Sequence, residues 1–327
     1  MKRPVSFLLA AVGLGIAADT WAQSPGGFWA DRVVVERDVE YGRAGDRPLL
    51  LDAVRPKEPA EERLPAIVFI HGGGWRSGDK RGAIPRLAQF AASGNYVGFT
   101  ISYRLSGEAT WPAQIYDCKA AIRWVRANAE KYGVDPRRIG VWGSSAGGHL
   151  VNLLGTSGGA EQLEGDCGSP DRSSRVACVV AFCGPSDFAG AAKVEGGREP
   201  SAVTGLLGGS VEEKPAAARE ASPITHVSAD DPPFLLVHGT ADPIVPLEHA
   251  EKLQRALSKT GVDATLVKIM GGGHGIGGPE VQRRVVAFFE KHLRGQDVEV
   301  SSKPIESRLA PRRGDGRPDR GGPAAGS

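Results

Sequence analysis

Residues 139–152 read IGVWGSSAGGHLVN. Ile139, Val141 and Trp142 favour a strand. A tight turn from Gly143 to Gly147 follows, with Ser145 at its centre, and His149 to Leu154 continues as a helix. Strand, glycine-flanked serine and helix, in that order, is the setting in which G-x-S-x-G marks a nucleophile elbow. The glycines have a mechanical reason. Ser145 must take a sparsely populated backbone conformation to lift its Oγ clear of the sheet, and Gly143 and Gly147 leave room where Cβ atoms would collide. The helix that starts at the turn aims free N–H groups and its positive end at the same place. The elbow sets the expected fold class: an α/β chain with a mostly parallel central sheet and helices on both faces.

A serine hydroxyl is a poor nucleophile at neutral pH. It needs a base to take its proton, and the base needs an anion to orient it. In elbow-bearing folds these follow in the order Ser, acid, His. The base candidate is His274, carried by the glycine-rich run 271–275, GGGHG, between the last expected strand and the last helix. An imidazole titrates in the range that accepting and returning a proton requires. The acid candidate is Asp242, in HGTADPIVP at 238–246, directly after a strand. Asp187, in FCGPSDF at 182–188, follows the preceding strand and is the second candidate. Asp230 and Asp231 come before their strand and belong to its other end. After the strand at 66–70 comes His71-Gly72-Gly73-Gly74-Trp75. Backbone N–H groups of Gly73 and Gly74, joined by Ala146, are the expected oxyanion donors, each worth roughly 3 kcal/mol. Trp75 is read as a substrate-binding wall of the acyl site or else as a packed aromatic. His71 is read as shaping the loop. The P-loop pattern is missing, so a phosphate cradle is not indicated.

The full chain has 327 residues, of which 41% are hydrophobic and 24% charged, with a formal net charge of +2. That supports a sizeable core and gives no sign of a nucleic-acid partner. Lys2-Arg3, an apolar run at 5–18 and a small residue at Ala22 make residues 1–22 a secretory signal peptide, so a secreted or periplasmic protein is expected. No later run reaches membrane length. The catalytic domain is placed at 23–295. Residues 296–327, ending RLAPRRGDGRPDRGGPAAGS, lack any apolar period and are expected to be a disordered tail. Of the four cysteines, Cys118 and Cys178 read as buried thiols. If export brings a bridge, Cys167 to Cys183 is the expected pair. No Cys-x-x-Cys is present, and no metal is indicated.

Between these landmarks, 32–41 and 49–54 alternate like an antiparallel opening pair. The apolar runs 66–70 and 176–182 read as buried strands, and 96–101, 234–238 and 264–269 as further strands. Helices are expected at 82–93, 112–131, 246–260 and 279–293. The segment 184–225, with weak periodicity, is expected to form short helices over one end of the sheet.

The motifs HGGGWRSGDK (71–80), SYRL (102–105), WPAQIYDCKAAIRWVRAN (111–128), GVDPRRIGVWGSSAGGHL (133–150), FCGPSDF, HGTADPIVP and GGGHG occur in one order over about residues 45–293. Together they resemble the bacterial carboxylesterases grouped with bifunctional acetylxylan/feruloyl esterases (the BD-FAE type), a branch near the hormone-sensitive-lipase-like esterases. The elbow departs from that neighbouring branch, with GSSAGG where GDSAGG is usual. The resemblance implies an α/β-hydrolase fold, a cofactor-free Ser-Asp-His mechanism on Ser145, Asp242 and His274, and carboxylic ester substrates, free or polysaccharide-linked. HGGGW with an SAG elbow is also similar to kynurenine formamidases. A prolyl-oligopeptidase-type peptidase shares the elbow, but this chain has no room for a propeller. A catalytically silent binding module is the remaining alternative.

Overall fold

The computed structural model describes residues 29–191 and 201–307. Residues 1–22, expected to be a signal peptide, and residues 308–327 lie outside them. Among the described residues, nine strands form one sheet: β1 (Val33–Ala44), β2 (Arg47–Pro56), β3 (Leu64–Ile70), β4 (Val97–Ile101), β5 (Val134–Ser144), β6 (Cys178–Phe182), β7 (Phe234–Gly239), β8 (Ala264–Met270) and β9 (Ile305–Glu306). Their spatial order is β1-β2-β4-β3-β5-β6-β7-β8-β9. The first two junctions are antiparallel and the other six parallel. A hairpin needs only the tight turn at Gly45-Asp46, whereas each parallel step needs a crossover, and helices supply those.

Those helices are α1 (Ile84–Ala91), α2 (Ala113–Ala127), α3 (Ala129–Tyr132), α4 (Ala146–Thr156), α5 (Phe188–Ala191), α6 (Ser201–Leu207), α7 (Pro215–Glu220), α8 (Glu248–Lys259) and α9 (Pro279–Arg294). They cover the sheet on both faces. Val68, Ile70, Val141 and Val179 join the layer of α2, α4 and α8, while Ile67, Phe69, Trp142 and Val180 join the layer of α1 and α9. Alternate strand residues thus meet different layers, which is why the runs read as continuous apolar sequence rather than as an alternation. The architecture is the α/β-hydrolase fold.

Three expectations are corrected in detail. The helix expected over 112–131 breaks at Asn128, whose Nδ2 donates to Trp124 O at 2.9 Å, and restarts as α3, which ends on Gly133 at φ 66°. An Asn side chain that competes for helix carbonyls disfavours continuation. The tail expected over 296–327 is corrected for its first twelve residues. Residues 296–307 are described, β9 pairs with β8, and Val300 and Ile305 pack against the α1/α9 layer. These scattered apolar residues have no period because they dock one at a time. The Cys167–Cys183 bridge is not formed: all four cysteines are free thiols. Cys167 lies against Gly42 beside the opening hairpin, whereas Cys183 follows β6 and donates to His274 O at 3.6 Å. Among the described residues, no helix is long and apolar enough to cross a membrane.

Candidate active site

Ser145 sits between β5 and α4 with φ 57° and ψ −121°. Its backbone N–H donates to Phe182 O at 2.8 Å. The glycines around it are required by close approach: a Cβ on Gly143 would lie 2.3 Å from Gly147 O, and one on Gly147 would lie 2.0 Å from Ile70 O. Glycine at both positions is what lets the strained turn pack this closely on its own helix and on β3.

His274 is brought to Ser145 from 129 residues away, with Nε2 to Oγ at 2.8 Å. The loops after β7 and β8 clasp each other to make this possible. Ala241 N donates to Gly272 O at 2.9 Å, and Gly271 N to Thr240 Oγ1 at 2.8 Å. A Cβ on Gly239 would lie 2.3 Å from Gly272 O, so only glycine lets the loops meet. Asp242 Oδ2 lies 2.8 Å from His274 Nδ1, and its side chain is fully buried, while that of His274 is 21% exposed. Since a carboxylate only accepts, Nδ1 carries the proton, and Nε2 turns its lone pair toward the serine hydroxyl. Burial works to raise the Asp242 carboxyl. The N–H of Val245, the His274 ring and the N–H of Ile244 outweigh it and hold the group below the ordinary carboxylate range.

Asp187, the second acid candidate, is not brought to His274. Its carboxylate pairs with Lys252 Nζ at 3.4 Å, and its N–H donates to His249 Nδ1. Asp231 accepts from the N–H and hydroxyl of Ser228, ahead of β7.

The loop after β3 runs directly along the nucleophile: a Cβ on Gly72 would lie 3.3 Å from Ser145 Cβ. Gly73, Gly74 and Trp75 take successive positive φ values of 113°, 59° and 59°. Gly73 O closes the turn by accepting from Arg76 N at 3.2 Å and Ser77 N at 3.1 Å. Trp75 does not offer a wall to the acyl site. It is 3% exposed, its Nε1 donates to His149 Nδ1 at 3.1 Å, and its ring meets Phe188 edge-on. Of its two readings, the packed aromatic is the one found. His71 stacks on Tyr103 with ring centroids 4.4 Å apart, and the Tyr103 hydroxyl donates to His71 O.

Two residues escaped the reading of the sequence. Cys183 (φ 47°) and His238 both border Asp242, and one ligand atom from each of the three lies within 4.8 Å of the others. His238 Nε2–H donates to Val245 O at 2.8 Å and lies 3.5 Å from Asp242 Oδ2. Burial pushes the Cys183 thiol up to about 12. A thiol, imidazole and carboxylate can hold a soft metal. Here the carboxylate already accepts three N–H bonds, and the trio reads as the seat of the triad acid. The only local signal was position, since Cys183 directly follows β6 and His238 lies near the end of β7.

The BD-FAE profile matches residues 51–257. The chain belongs to the BD-FAE family. The probable carboxylic ester hydrolase LipM of Mycobacterium tuberculosis is 35% identical over 65% of this chain and 49% of its own length. A truncated carbohydrate esterase from gut microbiota superposes with a TM-score of 0.73 at 33% identity, covering 80% of this chain and 96% of that one. A thermophilic esterase of the planctomycete Thermogutta terrifontis, with propionate bound, gives 0.60 at 31% identity over 74% of this chain and 85% of that one. The chain spans 49–60% of the length of the three curated relatives LipM, LipC and LipQ. In this BD-FAE chain the elbow and the acid loop fall inside the matched stretch, while His274 lies 17 residues beyond its end.

Proposed function

We propose that this chain is an exported serine carboxylesterase that cleaves short acyl esters, with acetyl groups on plant polysaccharides as its substrate class. One observation carries the reading: Ser145 Oγ, the His274 ring and the Asp242 carboxylate are joined by two hydrogen bonds of 2.8 Å. The order of donors suits base catalysis. As Ser145 Oγ attacks the ester carbonyl carbon, its proton passes to His274 Nε2. The imidazolium that forms is offset by the buried Asp242 carboxylate. The carbonyl oxygen becomes an oxyanion, and the N–H groups of Gly73, Gly74 and Ala146 receive it. When the tetrahedral intermediate collapses, the C–O bond to the alcohol breaks and His274 returns the proton to the leaving oxygen. Water then repeats the sequence on the acyl-enzyme, releasing the carboxylic acid and restoring Ser145.

The substrate class takes its support from the printed names of similar proteins: a carbohydrate esterase, and a bifunctional GH43-CE protein of Bacteroides eggerthii. The leader at 1–22 supports export to where such polymers are met. The test is hydrolysis of p-nitrophenyl acetate by the purified protein, with Ser145→Ala beside it. Loss of activity to background in that variant is expected. Turnover that survives it would overturn the mechanism. Acetate release from acetylated xylan, against ferulate release from methyl ferulate, tests the acyl class separately. Acetate is the expected product.

A further inference from the structure

His149 stands four residues after Ser145, on the elbow helix, and is fully buried. Apolar packing does not require an imidazole there, yet both of its ring nitrogens are used. The Trp75 indole can only donate, so His149 Nδ1 accepts from Trp75 Nε1 at 3.1 Å, and Nε2 must carry the proton. That Nε2–H donates to Ala221 O at 2.7 Å, at the C-terminal cap of α7. Burial holds the ring down to about 4, so it stays neutral and keeps its one acceptor for the indole. A proton shuttle needs a free lone pair or a path to solvent, and this ring has neither.

Trp75 explains what such a ring is for. A bulky residue at φ 59° is disfavoured and persists only where its surroundings over-determine it. The indole is clamped by the His149 hydrogen bond and by edge contacts with His149 and Phe188, and Ser106 N donates to Trp75 O at 2.8 Å. Trp75 ends the run of positive φ that begins at Gly73, so fixing its indole fixes the turn beside Ser145. The reference point is the nucleophile itself, since His149 N donates to Ser145 O at 2.9 Å.

We propose that His149 is a positioning residue: it spans Trp75 and Ala221 O, and so locks the Gly73–Gly74 turn to the elbow helix on one side and to the C-terminal cap of α7 on the other. This rests on the reading of that turn as the oxyanion hole. A turn left free to shift by about 1 Å loses oxyanion stabilisation, which costs on the order of 100-fold in rate while leaving ester binding nearly untouched.

The experiment compares His149→Phe, His149→Asn and Trp75→Phe with the full-length parent protein. Phenylalanine keeps the ring volume and removes both hydrogen bonds. Asparagine places an acceptor where Nδ1 stood. Trp75→Phe removes the same bond from its other end, and so reads the proposal if His149→Phe fails to fold. Each is assayed for kcat and KM on p-nitrophenyl acetate, and for inhibition by a trifluoromethyl ketone, whose serine adduct carries an oxyanion. The expected result for His149→Phe and Trp75→Phe is a fall in kcat of about 10- to 100-fold with KM within about threefold. Trifluoromethyl ketone affinity falls in proportion to kcat/KM, and His149→Asn recovers most of both. A purely structural ring would lower the melting temperature and leave kcat and ketone affinity alone. That outcome, or ketone affinity that does not track kcat/KM, overturns the proposal. Failure of the esterase reading is separate, because it appears as activity surviving Ser145→Ala.

Discussion

The Asp242 side chain has no exposed surface and three N–H donors, from Ile244, Val245 and His274. Replacing it with Asn keeps the shape and removes the anion. The amide cannot select the Nδ1–H tautomer of His274 or offset the imidazolium. Asp242→Asn is therefore expected to lower kcat by about 10³–10⁴ with the fold intact, whereas Asp187→Asn, paired with Lys252 instead, stays within about threefold. Steady-state kinetics on both variants decide it, and a larger loss in Asp187→Asn than in Asp242→Asn would reverse the assignment. The difference in legibility between side chains has a physical origin. Ser145, Asp242 and His274 each sit in a short run whose glycines and turn residues announce a loop at a strand end. The His149–Trp75 bond joins residues 74 positions apart, and neither carries a local sign of the other. Cys183 likewise carries no local sign of the carboxylate beside it, and by sequence reads only as a bridge partner for Cys167.

At the scale of elements, the loop between α4 and β6 is held by charge. Lys119 and Arg123 are buried on α2 and reach Glu164 at 2.7 and 2.9 Å, and the Ser174 hydroxyl donates to the same carboxylate. Lys119 also donates to Ser157 O, and Arg123 to Cys167 O. Removing the one anion leaves two buried cations without a counter-charge. Glu164→Leu is expected to destabilise the fold by about 3 kcal/mol, seen in urea unfolding as a lower midpoint at unchanged slope. An unchanged midpoint would mean that the carbonyls alone hold the loop. In the sequence, 158–174 shows mostly polar and glycine residues, because the partners that order it lie on a distant helix. Strands were easier. The runs at 66–70, 178–182 and 234–237 are apolar throughout, and only a sheet covered on both faces asks for that. The docked stretch at 296–307 was missed for the opposite reason: Val300 and Ile305 touch the core singly, in no register that a period could reveal.

For the whole molecule, burial lowers the ionisation of two histidines, His149 and His249, to about 4 from an ordinary 6.5. The unfolded chain takes up these protons near pH 6.5, and the folded chain does so only near 4. Their contribution is therefore full above about pH 6.5 and is lost as pH falls toward 4. For a fully buried ring such as His149 the loss is about 1.4 kcal/mol per pH unit. Unfolding midpoints at pH 7, 5.5 and 4.5 should fall in that order, with a shallower decline in His149→Phe. A flat profile would mean that these rings protonate without opposition. The α/β-hydrolase architecture was legible because alternating strands and helices admit few topologies. The two-sided layering was legible only in outline. The clasp between the loops after β7 and β8 has a practical consequence. His274 reaches Ser145 across 129 residues, and the acid reaches His274 only once β7 and β8 lie side by side. Hydrolytic turnover is thus a reporter of the last long-range step of assembly. During refolding from urea, helix signal should recover first and esterase activity afterwards. A chromogenic ester then times the moment at which the far half of the sheet zips shut.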